Sequence, residues 1–315
     1  MNTFNHKRVL ITGGFGFIGS HLVKRLLQDN AEIHIIGRSN TNKFRLLDDL
    51  DKIIIHETDI CDAFAIDPII REINPDYGFH LAGYGINSAH TDYEKAASTN
   101  VLGSVNIMKS LCQTDCKKII NMGTCSEYGN SEACESCPLA PENIYGSTKA
   151  AATTILHQIA KENKKDIVTL RPFGVFGEGE EPHKIFSYVI INILRGNDVP
   201  LTNCEQYRDY CHVENIVDAM LLACEKTEII NEIFNVASGE SHPLHYYIDL
   251  IFELMESEKK PLYGHVAYRD TELWNPKTDI NKITSMLNWK IKIPLKEGIL
   301  QTIEWYRNNL NKYYT

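Results

Sequence analysis

Tyr145 and Lys149 stand four residues apart in Tyr145-Gly146-Ser147-Thr148-Lys149, the spacing that puts two side chains on one face of a helix. A free phenol ionises near pH 10, so at neutral pH it exchanges a proton only with help. A neighbouring ammonium stabilises the phenolate and lowers that value. Lowering it by about three units takes roughly 4 kcal/mol. The pair therefore reads as a proton donor, Tyr145, with its tuning charge, Lys149. Thr124, at the end of a strand-like run, adds a hydroxyl able to orient the oxygen that receives the proton. A Tyr–Lys pair at this spacing is also common on plain helix surface; the motifs that precede it favour catalysis.

The first of those motifs is Thr12-Gly13-Gly14-Phe15-Gly16-Phe17-Ile18-Gly19, with glycines at 13, 16 and 19. A pyrophosphate docks at a helix N-terminus only where no Cβ blocks its approach, and the last glycine lets the helix pack on the strand. With a strand before it and an amphipathic helix after it, the turn reads as a dinucleotide-binding loop. The second strand ends Ile35-Ile36-Gly37-Arg38-Ser39, where a binder of NAD usually carries an acid for the adenosine ribose. Arg38 instead offers a guanidinium suited to a 2′-phosphate. The expected cofactor is therefore NADP(H), with NAD(H) as the alternative. Asp59 and Ile60 follow the third strand and are placed to meet the adenine ring, although a helix cap is the plainer reading of Asp59.

Positioning these groups requires alternating strands and helices. Strands are expected at 8–12, 32–36, 52–57, 77–82, 117–122 and 166–170, with helices at 20–28, 64–73, 98–111 and 145–161. Repeated βαβ units of this kind predict a Rossmann-type, doubly wound parallel sheet covered on both faces. Beyond Arg171-Pro172 the pattern loosens into short elements, which predicts a smaller mixed α/β lobe. The expected division is 1–172 and 173–315, with the chain crossing between the two more than once. At 315 residues the chain can bury a full core without disulfides or metals.

The composition, 43% hydrophobic and 23% charged, is that of a folded globular protein. A net charge of −9 lacks the field that drives binding to a phosphate backbone, so nucleic acid is not an expected partner. No apolar run approaches the roughly 20 residues of a membrane span, and the polar start lacks a signal-peptide pattern. A cytoplasmic location is expected. The nine cysteines fall mostly within expected helices and strands, not at the spacings of a disulfide framework. Cys134-x-x-Cys137 has metal-ligand spacing but no matching second pair, so no metal site is expected.

The ordered set of the glycine turn, His80-Leu81-Ala82-Gly83, Asn100, Thr124, Tyr145-x-x-x-Lys149, Arg171-Pro172-Phe173-x-Val175-Phe176-Gly177 and Arg208-Asp209-Tyr210-x-His212-Val213 resembles the extended short-chain dehydrogenase/reductase family over nearly the whole chain. The resemblance implies a nucleotide-sugar substrate bound by the second lobe. It implies cofactor contacts from Gly13, Gly16, Phe17, Ile18, Gly19, Arg38, Asp59 and Ile60, from Leu81, Ala82 and Gly83, and from Asn100, Tyr145, Lys149 and Phe173. Substrate contacts are implied for Ser88, Thr124, Arg208 and Arg269, the two arginines meeting a diphosphate through bidentate, charge-assisted bonds. Asn87 and His90 are further candidates for the sugar pocket. Relatives often form homodimers through two helices, a role open here to 98–111 and 145–161.

Similar enzymes epimerise, dehydrate, decarboxylate or reduce the sugar. Dehydratases of this kind carry acids directly after the residue matching Thr124, whereas this chain has Cys125-Ser126 and then Glu127-Tyr128-Gly129. Without a placed acid, elimination lacks its proton carrier. The segment looks more like that of the 4-keto-6-deoxyhexose reductases, enzymes of deoxysugar and cell-surface polysaccharide synthesis. The expected reaction is NADPH-dependent reduction at C4. The alternatives are a 4-epimerase that retains NAD and a regulator that binds cofactor without chemistry.

Overall fold

The computed structural model describes residues 3–85, 92–268, 272, 274 and 278–313. Its first half runs β1 (Arg8–Thr12), α1 (Phe17–Gln28), β2 (Glu32–Gly37), β3 (Ile54–Glu57), α2 (Ala63–Ile73), β4 (Tyr77–His80), α3 (Tyr93–Ala97), α4 (Ser104–Cys112), β5 (Lys118–Met122), α5 (Ile144–Asn163) and β6 (Ile167–Pro172). The second half runs β7 (Gly174–Phe176), α6 (Ile185–Leu194), β8 (Tyr207–His212), α7 (Val213–Glu225), β9 (Glu232–Val236), β10 (Ser241–Pro243), α8 (Leu244–Leu254), α9 (Asn281–Leu287) and α10 (Leu295–Asn309).

Seven strands form one parallel sheet in the order β3-β2-β1-β4-β5-β6-β9. Its inner strands are largely apolar on both faces, as burial on both sides demands, while the edge strand β3 is half-exposed. Val9 and Ile11 of β1 face a core shared with Leu22, Val23 and Leu26 of α1 and Ile216, Val217 and Met220 of α7. Leu10, one residue out of phase, faces Ile66 and Ile70 of α2, Ile107 and Leu111 of α4, and Leu156 of α5. The strand order reverses between β1 and β4, and a doubly wound sheet opens its binding crevice at the strand ends beside such a reversal.

A second sheet, β10-β8-β7, pairs β8 antiparallel to β10 and parallel to β7. With α6, α8 and α10 it encloses a separate core around Phe176, Phe186, Tyr247, Ile248 and Ile303. Phe173 is the single residue between β6 and β7, so the chain changes sheets at that point. It then returns, because β9 pairs with β6 at the edge of the large sheet.

Three expected elements differ in detail. The third strand begins at Ile54 because Phe44–Lys52 winds into 3-10 turns. The fourth ends at His80, where the chain lifts to grip the glycine turn: the Leu81 N–H donates to Thr12 O at 3.0 Å and the Ala82 N–H to Thr12 Oγ1 at 3.3 Å. The helix expected at 98–111 carries a π turn over Ser98–Gly103 between α3 and α4.

Candidate functional site

The glycine turn leaves β1 beside this crevice. Gly13 has φ +73°, and a Cβ there would stand 2.7 Å from Ala82 N. A Cβ on Gly19 would run into Gly13 O, so this position lets α1 pack on the turn. Gly16 differs: its Cβ would meet only Gly13 O, at 3.2 Å. Gly16 is the exposed N-cap of α1, and no side chain caps the helix there. Phe17 and Ile18 complete the first turn, half-buried. The result is a bare backbone N-terminus open on one side, the surface an anionic group requires.

At the end of β2, Gly37 packs under the Phe15 ring and the Arg38 side chain is exposed. Glu57 at the end of β3 is paired with Lys43 at 3.1 Å. Asp59 is exposed, and its Oδ1 accepts the Cys61 N–H at 2.9 Å. It stabilises a local turn, while Asp62 caps α2. Ile60 is buried against Gly103. Leu81, Ala82 and Gly83 line the chain between the turn and Tyr84.

Asn100 sits in the π turn and is fully buried. Its Oδ1 accepts the Tyr84 N–H at 2.7 Å, and its Nδ2 donates to Tyr84 O at 2.8 Å and Thr148 Oγ1 at 2.9 Å. The widened turn thus houses a side chain that links the segment after β4 to α5, the helix carrying Tyr145 and Lys149.

That helix begins with an Asn143 cap, whose Oδ1 accepts the Gly146 N–H at 2.8 Å. Gly146 lets α5 approach the 3-10 turn Cys125–Glu127, since a Cβ there would run into Ser126 O. The approach brings Tyr145 beside Thr124, whose hydroxyl favours the phenolate. Burial raises the proton affinity of Tyr145 above its ordinary value, outweighing the opposing pull of Thr124. The lowering anticipated from Lys149 alone is therefore corrected, because loss of hydration is the larger effect. Lys149 is itself almost fully buried; burial lowers its pKa, while Glu127 favours its charged form.

Glu127 is fully buried and points away from solvent into the fold. Its Oε1 accepts the Thr124 N–H at 3.0 Å and the Thr153 hydroxyl at 3.3 Å. Its Oε2 accepts Arg171 Nε–H at 2.9 Å and Nη2–H at 2.8 Å. Arg171 Nη1–H donates to Tyr128 OH at 2.7 Å, and Tyr128 OH donates to Asn235 Oδ1 at 2.9 Å. Sequence reading singled out neither this chain of bonds nor the role of Arg171. Thr124-x-x-Glu127 nonetheless has the spacing of a capping box, and the box is formed.

Beside Thr124 lies a cavity of about 160 Å³ walled by Cys125, Ala133, Phe173, Arg208, Asp209 and Tyr210 among others. Phe173 is buried in this wall. Arg208 forms an ion pair with Glu272 and donates from Nη1 to Tyr207 O at 2.6 Å. Asp209 accepts from Ser238 N–H and Oγ–H, both at 2.7 Å, and from Gly239 N–H at 2.8 Å. Burial pushes the Cys125 thiol up to about 11, so it stays protonated at neutral pH. Asn87, Ser88, His90 and Arg269 lie outside the described residues. Cys134 and Cys137, weighed from sequence only as a metal-ligand spacing, form a disulfide with Cα atoms 5.1 Å apart, since two intervening residues suffice to bring the Cα atoms within bonding range.

The chain is similar to known proteins over most of its length. The family model described as the NAD-dependent epimerase/dehydratase family matches residues 9–237. The human dTDP-D-glucose 4,6-dehydratase is 28% identical across 98% of this chain and 92% of its own length. The solved UDP-glucose 4-epimerase of Thermotoga maritima, with UDP-glucose, superposes with a TM-score of 0.88 at 28% identity, covering 96% of this chain and 99% of that one. The UDP-glucose 4-epimerase of Thermus thermophilus, in complex with NAD, superposes with a TM-score of 0.85 at 26% identity, covering 95% and 99%.

Proposed function

The chain belongs to the NAD-dependent epimerase/dehydratase family, and on that premise we propose that it reduces the C4 keto group of a nucleotide-linked 4-keto-6-deoxyhexose with NADPH. The observation that carries the choice of cofactor is the end of β2, where Gly37 stands in the place of an acid and the exposed Arg38 follows. A guanidinium there favours a 2′-phosphate, and a reductase that consumes its cofactor can draw on NADPH.

The residues present fit a dinucleotide. Gly13, Gly16 and Gly19, with Phe17 and Ile18, would hold the pyrophosphate. Arg38, Asp59 and Ile60 would surround the adenosine, with Ile60 contributing from the edge of the core. Leu81, Ala82, Gly83, Asn100, Tyr145, Lys149 and Phe173 would surround the nicotinamide riboside. When bound, the cofactor supplies hydride to C4. Tyr145 donates its phenolic proton to the C4 oxygen, and Thr124 orients that oxygen. Lys149 compensates the charge left on Tyr145. Holding donor and acceptor in line supplies much of the acceleration. Arg208 would exchange its Glu272 partner for the diphosphate, with Arg269 as second anchor and Ser88 against the sugar.

Dehydration is disfavoured because Glu127 and Asp209 are committed to internal bonds, leaving neither free to move a proton at a ring carbon. The second reading is a 4-epimerase with retained NAD, favoured by the two solved relatives named for that activity. Acid release of cofactor from the purified protein separates the two. The reductase yields little bound nucleotide, or NADP in exchange with added NADPH; stoichiometric, non-exchanging NAD would establish the epimerase.

A further inference from the structure

Glu127 accepts four hydrogen bonds, and each comes from an element that carries or abuts the proton-transfer groups. Thr124 lies at the end of β5, Thr153 on α5, and Arg171 on β6. Thr153 follows Lys149 by four residues and Tyr145 by eight, so all three lie on one face of α5. A neutral Gln would serve equally well as a cap for the Thr124 N–H. A buried ion pair, moreover, is often no more stabilising than an apolar pair of the same volume. The charge therefore exceeds what local structure needs.

We propose that the Glu127–Arg171 ion pair is the positioning device of the proton-transfer site: Glu127, as a carboxylate, ties the strand end bearing Thr124 to the helix bearing Tyr145 and Lys149, and its charge acts on that pair. This rests on the reading of Thr124, Tyr145 and Lys149 as the proton-transfer group. Among the described residues, the ionisable neighbours of Tyr145 from outside its own helix are Cys125 and Glu127, both on the turn after β5. Those of Lys149 are Glu127 and, from β4, His80. Arg208 on β8 faces Cys125. Arg171 holds the far oxygen of Glu127 and also faces His157 on α5. Glu127 thus favours the ammonium of Lys149 and opposes the phenolate of Tyr145; Arg171, of opposite charge and bonded to the same carboxylate, must by Coulomb's law act against both.

The two partners must then act with opposite signs. Glu127→Gln removes the negative charge and keeps the cap, so Lys149 releases its proton more readily. Arg171→Met leaves the carboxylate unmoderated, so Lys149 holds its proton more tightly. In the double variant the two changes offset each other. The test is a ¹³Cε-lysine NMR titration of the full chain, with the Lys149 resonance assigned by its loss in Lys149→Met. The expected shifts are at least about threefold in proton affinity, in opposite directions for the single variants, with the double variant near the parent. Should Glu127→Gln fail to fold, Arg171→Met against the double variant reads the same sign. Shifts of the same direction, or none in folded variants, would overturn the proposal. The titration needs no sugar, so it decides the inference even if no 4-keto sugar is reduced; that failure would count against the proposed function alone. Where turnover is measurable, the limbs of its pH profile move with the titration while KM stays within twofold.

Discussion

At the scale of residues, the proton-transfer site balances burial against hydrogen bonding. Tyr145 is pushed up by burial and pulled back by the Thr124 hydroxyl, so its proton is available only to an oxygen held beside both groups. Tyr145→Phe removes the proton and keeps the ring. Turnover should fall by about 10²- to 10⁴-fold, while NADPH affinity, followed by fluorescence titration, stays within a few-fold; turnover above a tenth of the parent would exclude Tyr145 as donor. The Tyr–Lys spacing and the strand-end threonine were legible from the helical period and the end of the strand-like run, whereas the close approach of α5 that brings Tyr145 to Thr124 depends on Gly146 and was not. Glu127 was less legible. It was read only as part of the segment that resembles the 4-keto-6-deoxyhexose reductases, and only the fold reveals Arg171 on β6, paired with it inside the protein. Arg208 was found as a cation near the substrate lobe, whereas its partner Glu272 lies 64 residues on, beyond any local pattern.

At the scale of elements, the fit between α1 and the glycine turn depends on the missing side chain at position 19. Gly19→Ala places a methyl group against Gly13 O. Overpacking of this kind costs about 1–3 kcal/mol, so thermal melting should drop by several degrees and NADPH affinity should fall with it; an unchanged melting temperature would mean that the turn is looser than described. Strands and helices of the first half were readable because buried parallel strands are continuous apolar runs and their covering helices are amphipathic. The π turn around Asn100 was not readable. Its cause is a tertiary demand, the pairing of Asn100 with Tyr84 and Thr148, which propensity does not register. The mixed lobe was read only as a class, since β7 and β10 span three residues each and take their identity from β8 between them.

At the scale of the whole molecule, burial leaves an acid-sensitive core. Burial pushes His80 down to about 3 and His157 down to about 4, against an ordinary value of about 6.5 in the unfolded chain. The unfolded state therefore binds protons first as pH falls. Stability is full above about pH 6.5 and is lost as pH falls towards the folded values, by about 2 kcal/mol per histidine at pH 5. Urea unfolding at pH 7.5 and 5.0 should show this loss, and His157→Gln should remove about half of it; an equal loss in the variant would assign the sensitivity elsewhere. Leu102, beside α4, and Ile155, on α5, are exposed apolar residues on the two helices expected to join two copies. Light scattering should give twice the chain mass, and Leu102→Lys with Ile155→Lys should give a monomer; a parent already monomeric would contradict the dimer. The parallel, doubly wound class of the large sheet followed from alternating βα units, whereas the return of β9 was expected only as a further crossing, because a short strand that follows β7 and β8 of the other sheet leaves no periodic trace.

NADPH-dependent reduction at C4 stands or falls on absorbance at 340 nm with nucleotide-linked 4-keto-6-deoxyhexoses, NADPH and NADH being run side by side. One NADPH should be oxidised per sugar reduced, with a preference for NADPH that Arg38→Ala abolishes. No net oxidation, with 4-hydroxy sugars interconverting on a retained NAD, would contradict it.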